Sequence, residues 1–148
     1  MDDNALDRYP LINVVKQVEA AIFAFNPDVV YTHSVSDLNV DHQIAHKTVL
    51  TATRPESCVR EIYCFETASS TEWNFGERSF SPNVFVRLDR SDLLWKIDRL
   101  LELYPQEMRK FPHPRAPEYL EACAKRWAGV AGVEPYAEAF ELIRSVRP

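Results

Sequence analysis

The sequence predicts an α/β protein with a mostly parallel sheet and helices on its faces. Three observations lead there. Apolar residues recur at helical spacing in separate stretches, short β-branched runs lie between them, and the two kinds of segment alternate along the chain. At 148 residues, 46% hydrophobic and 26% charged, the chain has the composition of an ordinary globular protein able to bury a core. We read residues 1–148 as a single domain, since no repeat, linker or low-complexity segment interrupts them.

The elements follow in order. Leu11, Val14, Val15, Val18, Ala21, Ile22 and Phe25 share one helical stripe, with Pro10 at its start and Asn26-Pro27 at its end. Asp28 to Thr32 reads as a short buried strand, and His33 to Asn39 as a polar loop. A second helix opens at Asn39 or Val40, with Asn39 as its N-cap, and runs to about Thr53. Arg60–Phe65 and Val84–Leu88 are strand candidates. Asp89 or Ser91 caps a third helix lined by Leu93, Ile97, Leu100, Leu101 and Tyr104. After the proline-rich loop from Phe111 to Arg115, Pro117 starts a fourth helix with Leu120, Cys123, Ala124 and Trp127 on its stripe, ended by Gly129 and Gly132. Trp95 and Trp127 read as core. Tyr136 to Val146 fits either a helix or a closing strand.

Composition excludes several classes. A formal net charge of −5 with no Lys/Arg cluster argues against nucleic acid. No apolar run is long enough for a transmembrane segment, and Met1-Asp2-Asp3 is not the basic start of a signal peptide. Cys58, Cys64 and Cys123 are an odd number without CxxC spacing, which suits reduced thiols in a cytoplasmic protein. The three glycines do not form a dinucleotide fingerprint or a P-loop.

The densest chemistry follows the first strand, where ligand-binding groups of open α/β sheets gather. Within fourteen positions lie His33, Asp37, Asn39, Asp41, His42 and His46. His42 and His46 share a helix face at the spacing of HExxH zinc sites, but position 43 is Gln43 rather than Glu. The pair by itself fits a metal site or a polar helix start with one solvated and one satisfied histidine. His33 either lines a pocket or caps its strand, and His46 reads as structural. The segment Glu66–Trp73, polar with one aromatic, fits contacts to a sugar or an ordinary surface loop.

Several blocks in order resemble the PIG-L/LmbE-like zinc-dependent N-deacetylases: Pro27–His33, Asp37–His42, Leu50–Pro55, Phe65–Trp73, Tyr104–Arg109, Phe111–Arg115 and Tyr136–Leu142. The resemblance implies a Rossmann-like three-layer fold and one catalytic Zn²⁺ held by two His and one Asp. Its substrate would be an N-acetylglucosamine-type amino sugar or glycoconjugate. The histidine of the Asp41-His42 pair would be a metal ligand, with Asp41 as the carboxylate that orients an active-site group. Asn39 and His113 are the candidates for the donor that stabilises the tetrahedral oxyanion, His113 also for the acid that protonates the leaving amine. The family's His-Pro-Asp-Asp motif, which supplies the other ligands and the general base, is absent from these 148 residues, and His113-Pro114-Arg115 carries no carboxylate to replace it.

The expectation is therefore a C-terminal portion of such a domain, with its N-terminal strands missing, an incomplete zinc site and no hydrolysis by the isolated chain. Uncovered sheet edge and helix faces would follow, with self-association into a homo-oligomer as their consequence. The alternative is a non-catalytic remnant or a partner-dependent sugar-binding module.

Overall fold

The computed structural model describes residues 4–76 and 78–147. It contains a short 3₁₀ turn Leu6–Arg8, helices α1 (Leu11–Phe25), α2 (Val40–Ala52), α3 (Arg90–Leu103) and α4 (Pro117–Ala131), and strands β1 (Val29–His33), β2 (Glu61–Phe65), β3 (Val84–Leu88) and β4 (Tyr136–Ser145). The strands are hydrogen-bonded in the order β1-β2-β4-β3. Two compact units divide the chain: Met1–Ser81 with Glu141–Pro148, and Pro82–Phe140.

In the first unit β1 and β2 run parallel, with Val29 opposite Glu61 and His33 opposite Phe65. Helix α2 packs on β1 and α1 on α2, burying Val14, Val15, Ala52, Val59, Ile62 and Cys64. Helix α1 ends because Asn26 adopts a left-handed backbone (φ 48°) while its N–H closes onto the Ile22 carbonyl, a conformation asparagine tolerates better than most residues. Its stripe is only partly covered. Val14 and Val15 are buried, whereas Leu11 and Phe25 are exposed, Phe25 at 85%. Strand β1, expected to be buried, lies at one end of the strand order and leaves Tyr31 exposed.

In the second unit β3 and β4 are antiparallel, with Val84 opposite Phe140 and Leu88 opposite Tyr136. The sheet is thus mixed rather than mostly parallel. A single-helix crossover returns the chain to the end from which the previous strand started, so the next strand runs parallel. Here two helices, α3 and α4, separate β3 from β4, and the second reverses the return. The ambiguous tail resolves as the strand β4. Leu93, Ile97, Ala124 and Tyr136 form the core cluster, with Leu88 and Leu120 against it. Trp127 is buried as expected, but Trp95 is 67% exposed because it falls between the Leu93 and Ile97 positions of the α3 stripe. Asp89 caps α3, its own N–H donating to Asp92 Oδ2 at 2.8 Å. Pro117 opens α4, and Gly132 closes it at φ 68°, where a side chain would be strained.

Candidate metal site at the end of strand β1

Strand β1 delivers His33 at its carboxyl end, and the next six residues fold back tightly before α2 begins. Asn39 drives that turn. Its Oδ1 accepts from the N–H groups of Asp41 and His42 at 2.8 and 3.4 Å, satisfying two of the donors that a helix start leaves open. Its own N–H donates to Asp37 Oδ1 at 2.8 Å. Asp37 is fully buried, and its other oxygen, Oδ2, accepts from His42 Nδ1 at 2.8 Å. Gln43 completes the fold-back by donating from Nε2 to the Asp37 carbonyl at 2.7 Å. The cap thus places the Asp37 carboxylate on the ring of His42.

A proton on Nδ1, given to Asp37, leaves the lone pair of a neutral His42 on Nε2. This is the tautomer and orientation that a metal-binding histidine needs. His33, Asp37 and His42 each offer a ligand-capable atom, all within 4.8 Å of one another. They are a group that could hold a metal ion. Within it the roles differ. Both Asp37 oxygens are already engaged. The rings of His33 and His42 stack with centroids 3.8 Å apart and planes 5° from parallel. An imidazole lone pair lies in its ring plane, so two parallel rings do not converge on one ion. Within the group His42 Nε2 is the open donor, with Asp37 behind the ring and His33 stacked on it.

His33 is suited to that support. Burial, reinforced by the neighbouring His42 and opposed by Asp37, lowers its pKa to about 4, so it is neutral at pH 7 and does not repel a cation. Its Nδ1 lies 3.3 Å from Thr67 Oγ1. Its carbonyl accepts from His46 Nδ1 at 3.0 Å. His46 is buried below the site beside Cys64, whose Sγ is 3.6 Å away. Burial lowers the pKa of His46, the bond to the His33 carbonyl opposing it, and pushes the Cys64 thiol up to about 12. The Cys64 thiol therefore stays protonated and does not act as a nucleophile at neutral pH.

The segment Thr67–Asn74 borders the site. Leu38 N–H donates to the Ser70 carbonyl at 3.0 Å, and Asn74 Nδ2 to the Ser36 carbonyl. Ser69 holds a left-handed backbone (φ 76°) while its N–H donates to Glu72 Oε2 at 2.6 Å, a local strain of the kind found beside functional sites. Beneath, Ser34 Oγ donates to Glu141 Oε2 at 2.7 Å.

The other expected residues fall as follows. Asp41 does not reach the His42 ring: its two oxygens accept from the N–H groups of Ala5 and Leu6, each at 3.0 Å. Asn39 spends Oδ1 on the helix cap, which leaves its Nδ2 as donor. His113 lies in the second unit, where its Nδ1 accepts from Arg115 N–H at 3.0 Å. The residue to which sequence reasoning assigned no role is Asp37. A carboxylate just ahead of an Asn N-cap, five positions before a histidine in the first helical turn, is the signal that could have marked it.

The fold and site together define an α/β protein with a group at a strand's carboxyl end, two histidines and an aspartate, that could hold a metal ion. The sequence matches no protein-family model and no curated protein. Among solved structures it is similar to the conserved protein TT1542 from Thermus thermophilus, with a TM-score of 0.70 and 21% identity over 100% of this chain and 65% of that one. It is also similar to the zinc-inhibited form of teicoplanin deacetylase Orf2, with a TM-score of 0.65 and 15% identity over 93% of this chain and 53% of that one. The chain thus spans between half and two-thirds of the length of the structures it matches. No helix among the described residues is long and apolar enough to cross a membrane.

Proposed function

We propose that this chain contributes part of the active site of a zinc-dependent N-deacetylase acting on an N-acetylglucosamine-type sugar or glycoconjugate. The observation that carries the reading is the buried Asp37 carboxylate on Nδ1 of His42, at the end of β1 where such folds place their chemistry. The likeness in fold to a deacetylase and the ordered sequence blocks of the PIG-L/LmbE-like family agree with it. The remaining ligands and the general base would come from outside these 148 residues.

When bound, zinc supplies a Lewis acid at which an amide carbonyl and an attacking water are activated. The chain's own residues do the rest. Asp37 fixes the His42 ring and its tautomer. His33 stacks on that ring as a neutral support. Asn39 Nδ2 would donate to the developing oxyanion. The loop from Glu66 to Trp73, rich in hydroxyls and carboxylates with one exposed indole, would meet sugar hydroxyls and a ring face. Asp41 would act as a positioning residue, tying the segment at Ala5 and Leu6 to the start of α2.

Zinc titration by calorimetry tests the metal part. The isolated chain should bind weakly, and both His42→Ala and Asp37→Asn should reduce what binding there is. Zinc uptake indifferent to His42→Ala would sink the proposal. Acetate release from N-acetylglucosamine derivatives tests the rest: none from the chain alone, and release from a longer polypeptide that is lost in His42→Ala. A second reading, a sugar-binding module without chemistry, is favoured by the engagement of both Asp37 oxygens, which leaves His42 Nε2 as the one well-aimed ligand. It predicts saturable binding of an N-acetylated sugar without acetate release in the longer polypeptide as well.

A further inference from the structure

The same unit holds a second concave site at the opposite end of β1 and β2. His33 closes β1 at its carboxyl end, whereas residues 57–60 lead into the start of β2, where the N–H groups of Arg60 and Glu61 bond the Asp28 carbonyl. Strands of this length separate the two ends by about 13 Å. A cavity of about 450 Å³ opens there, and its lining includes Ser57, Cys58, Val59, Arg60, Arg144 and Arg147. That volume is ample for a small metabolite.

Its charge is unlike that of the rest of the molecule. The chain carries a formal net charge of −5, yet three guanidinium groups line this cavity and no carboxylate does. None of the three forms an ion pair with a carboxylate among the described residues. Glu61, the acidic residue next in the chain to Arg60, is turned elsewhere, accepting from Tyr63 Oη at 2.8 Å and Ser145 Oγ at 2.9 Å. Those two hydroxyls are the main causes of its lowered pKa, and Arg147 is the least of them. Arg144 is held in the wall by donating from Nη2 to the Val59 carbonyl at 2.8 Å. Its Nε is buried with no hydrogen-bond partner. A buried donor without an acceptor is unfavourable on its own, so the Arg144 side chain is held in the wall at a cost.

We propose that this cavity binds a phosphomonoester, at a site separate from the candidate metal centre. Three guanidinium groups carry one charge more than a phosphate dianion neutralises, and the planar fork of arginine fits its oxygens with paired donors. A carboxylate, with a single charge, would leave two positive charges unbalanced. Val59 and Cys58 offer an apolar wall for the organic part of the ligand. The site does not depend on the deacetylase reading and survives its failure.

Phenyl phosphate, inorganic phosphate and benzoate, titrated separately into the 148-residue protein and followed by two-dimensional NMR, provide the test. Phenyl phosphate should bind saturably, with shifts concentrated at residues 57–60 and 144–147 and none at His33 or His42. Benzoate should bind at least tenfold more weakly. The double variant Arg60→Ala/Arg147→Ala, at two exposed positions, should weaken phenyl phosphate at least tenfold. Arg87→Ala, in the other unit, should leave it unchanged. Should the alanine variant fail to fold, Arg60→Lys/Arg147→Lys keeps the charge and removes the fork, and should still lose affinity. Equal affinity for benzoate, equal binding by the arginine variants, shifts centred on His42, or no saturation would each overturn the proposal.

Discussion

In the unit formed by Met1–Ser81 and Glu141–Pro148 lie all the buried polar side chains found among the described residues, including Ser34, Ser36, Asp37, His46, Thr48 and Ser70. In the unit Pro82–Phe140 the buried set is apolar: Leu93, Ile97, Ala124, Trp127, Ala128 and their neighbours. The two units solve different problems. The second gains stability by removing hydrocarbon from water. The first also buries polar groups, and those that are paired, as Asp37 is with Asn39 and His42, are costly to disturb; Thr48 Oγ1 is buried there without a hydrogen-bond partner. Hydrogen-bonded polar burial of this kind fixes the direction of site groups as well as their position.

Three substitutions bear on that contrast, in decreasing order of expected effect on stability. Trp127→Ala should cost about 3–5 kcal/mol in urea unfolding, since it empties a large core position. It should leave the zinc response of the folded protein unchanged, and a loss of zinc binding in protein shown to be folded would mean that the units are not separable in function. Asp37→Ala should cost about 2–3 kcal/mol, the scale of lost charge-assisted hydrogen bonds, and should lower zinc affinity about 10–100-fold, as removal of a carboxylate behind a metal-binding histidine does. Equal stability with unchanged zinc affinity would show the carboxylate to be idle. Asn39→Ala should cost about 1 kcal/mol by removing the α2 cap. Because the same cap sets the Asp37–His42 geometry, zinc affinity should fall with it, whereas Asn39→Ser, which also caps, should restore much of both.

The two units also differed in how readily the sequence revealed them. Helical stripes and their stops were plain in both: Asn26 ends α1, and Pro117 and Gly132 bracket α4, because backbone preferences act locally. The strand Val84–Leu88 was equally clear. What sequence periodicity could not carry was direction. Whether β4 runs with or against β3 depends on the number of helices between them and on which edge the chain returns to, and neither is a property of the Tyr136–Ser145 run. Exposure failed similarly at Phe25 and Trp95, where an apolar residue on or beside a stripe meets no neighbour. At the site, the Asn39 cap was legible from its place before the helix, whereas the ligand role of His42 rests on the family resemblance. Asp37 was not assigned, because its contact to His42 requires the chain to reverse within five residues. Adjacency and resemblance gave a role to Asp41, whose oxygens accept from the N–H groups of Ala5 and Leu6.

The smallest expected effect sharpens the contrast through pH. His46 is buried below the site and donates from Nδ1 to the His33 carbonyl, with burial as the main cause of its lowered pKa. A base whose pKa is lower folded than unfolded binds its proton more readily in the unfolded chain. Stability therefore rises with pH across that window. The contribution is complete above the ordinary imidazole value of about 6.5 and is lost as pH falls below it. His46→Gln removes the titrating group while keeping an N–H donor. Its unfolding free energy should decline less steeply than that of the parent protein between pH 7 and pH 5, by no more than the one proton that His46 takes up. No such histidine lies in the second unit's buried set, so Trp127→Ala should shift the whole stability curve down without changing its slope. Parallel curves for His46→Gln and the parent protein would mean that His46 is charged or solvated in the native state, and the polar burial that distinguishes the first unit would then stop short of the residue supporting His33.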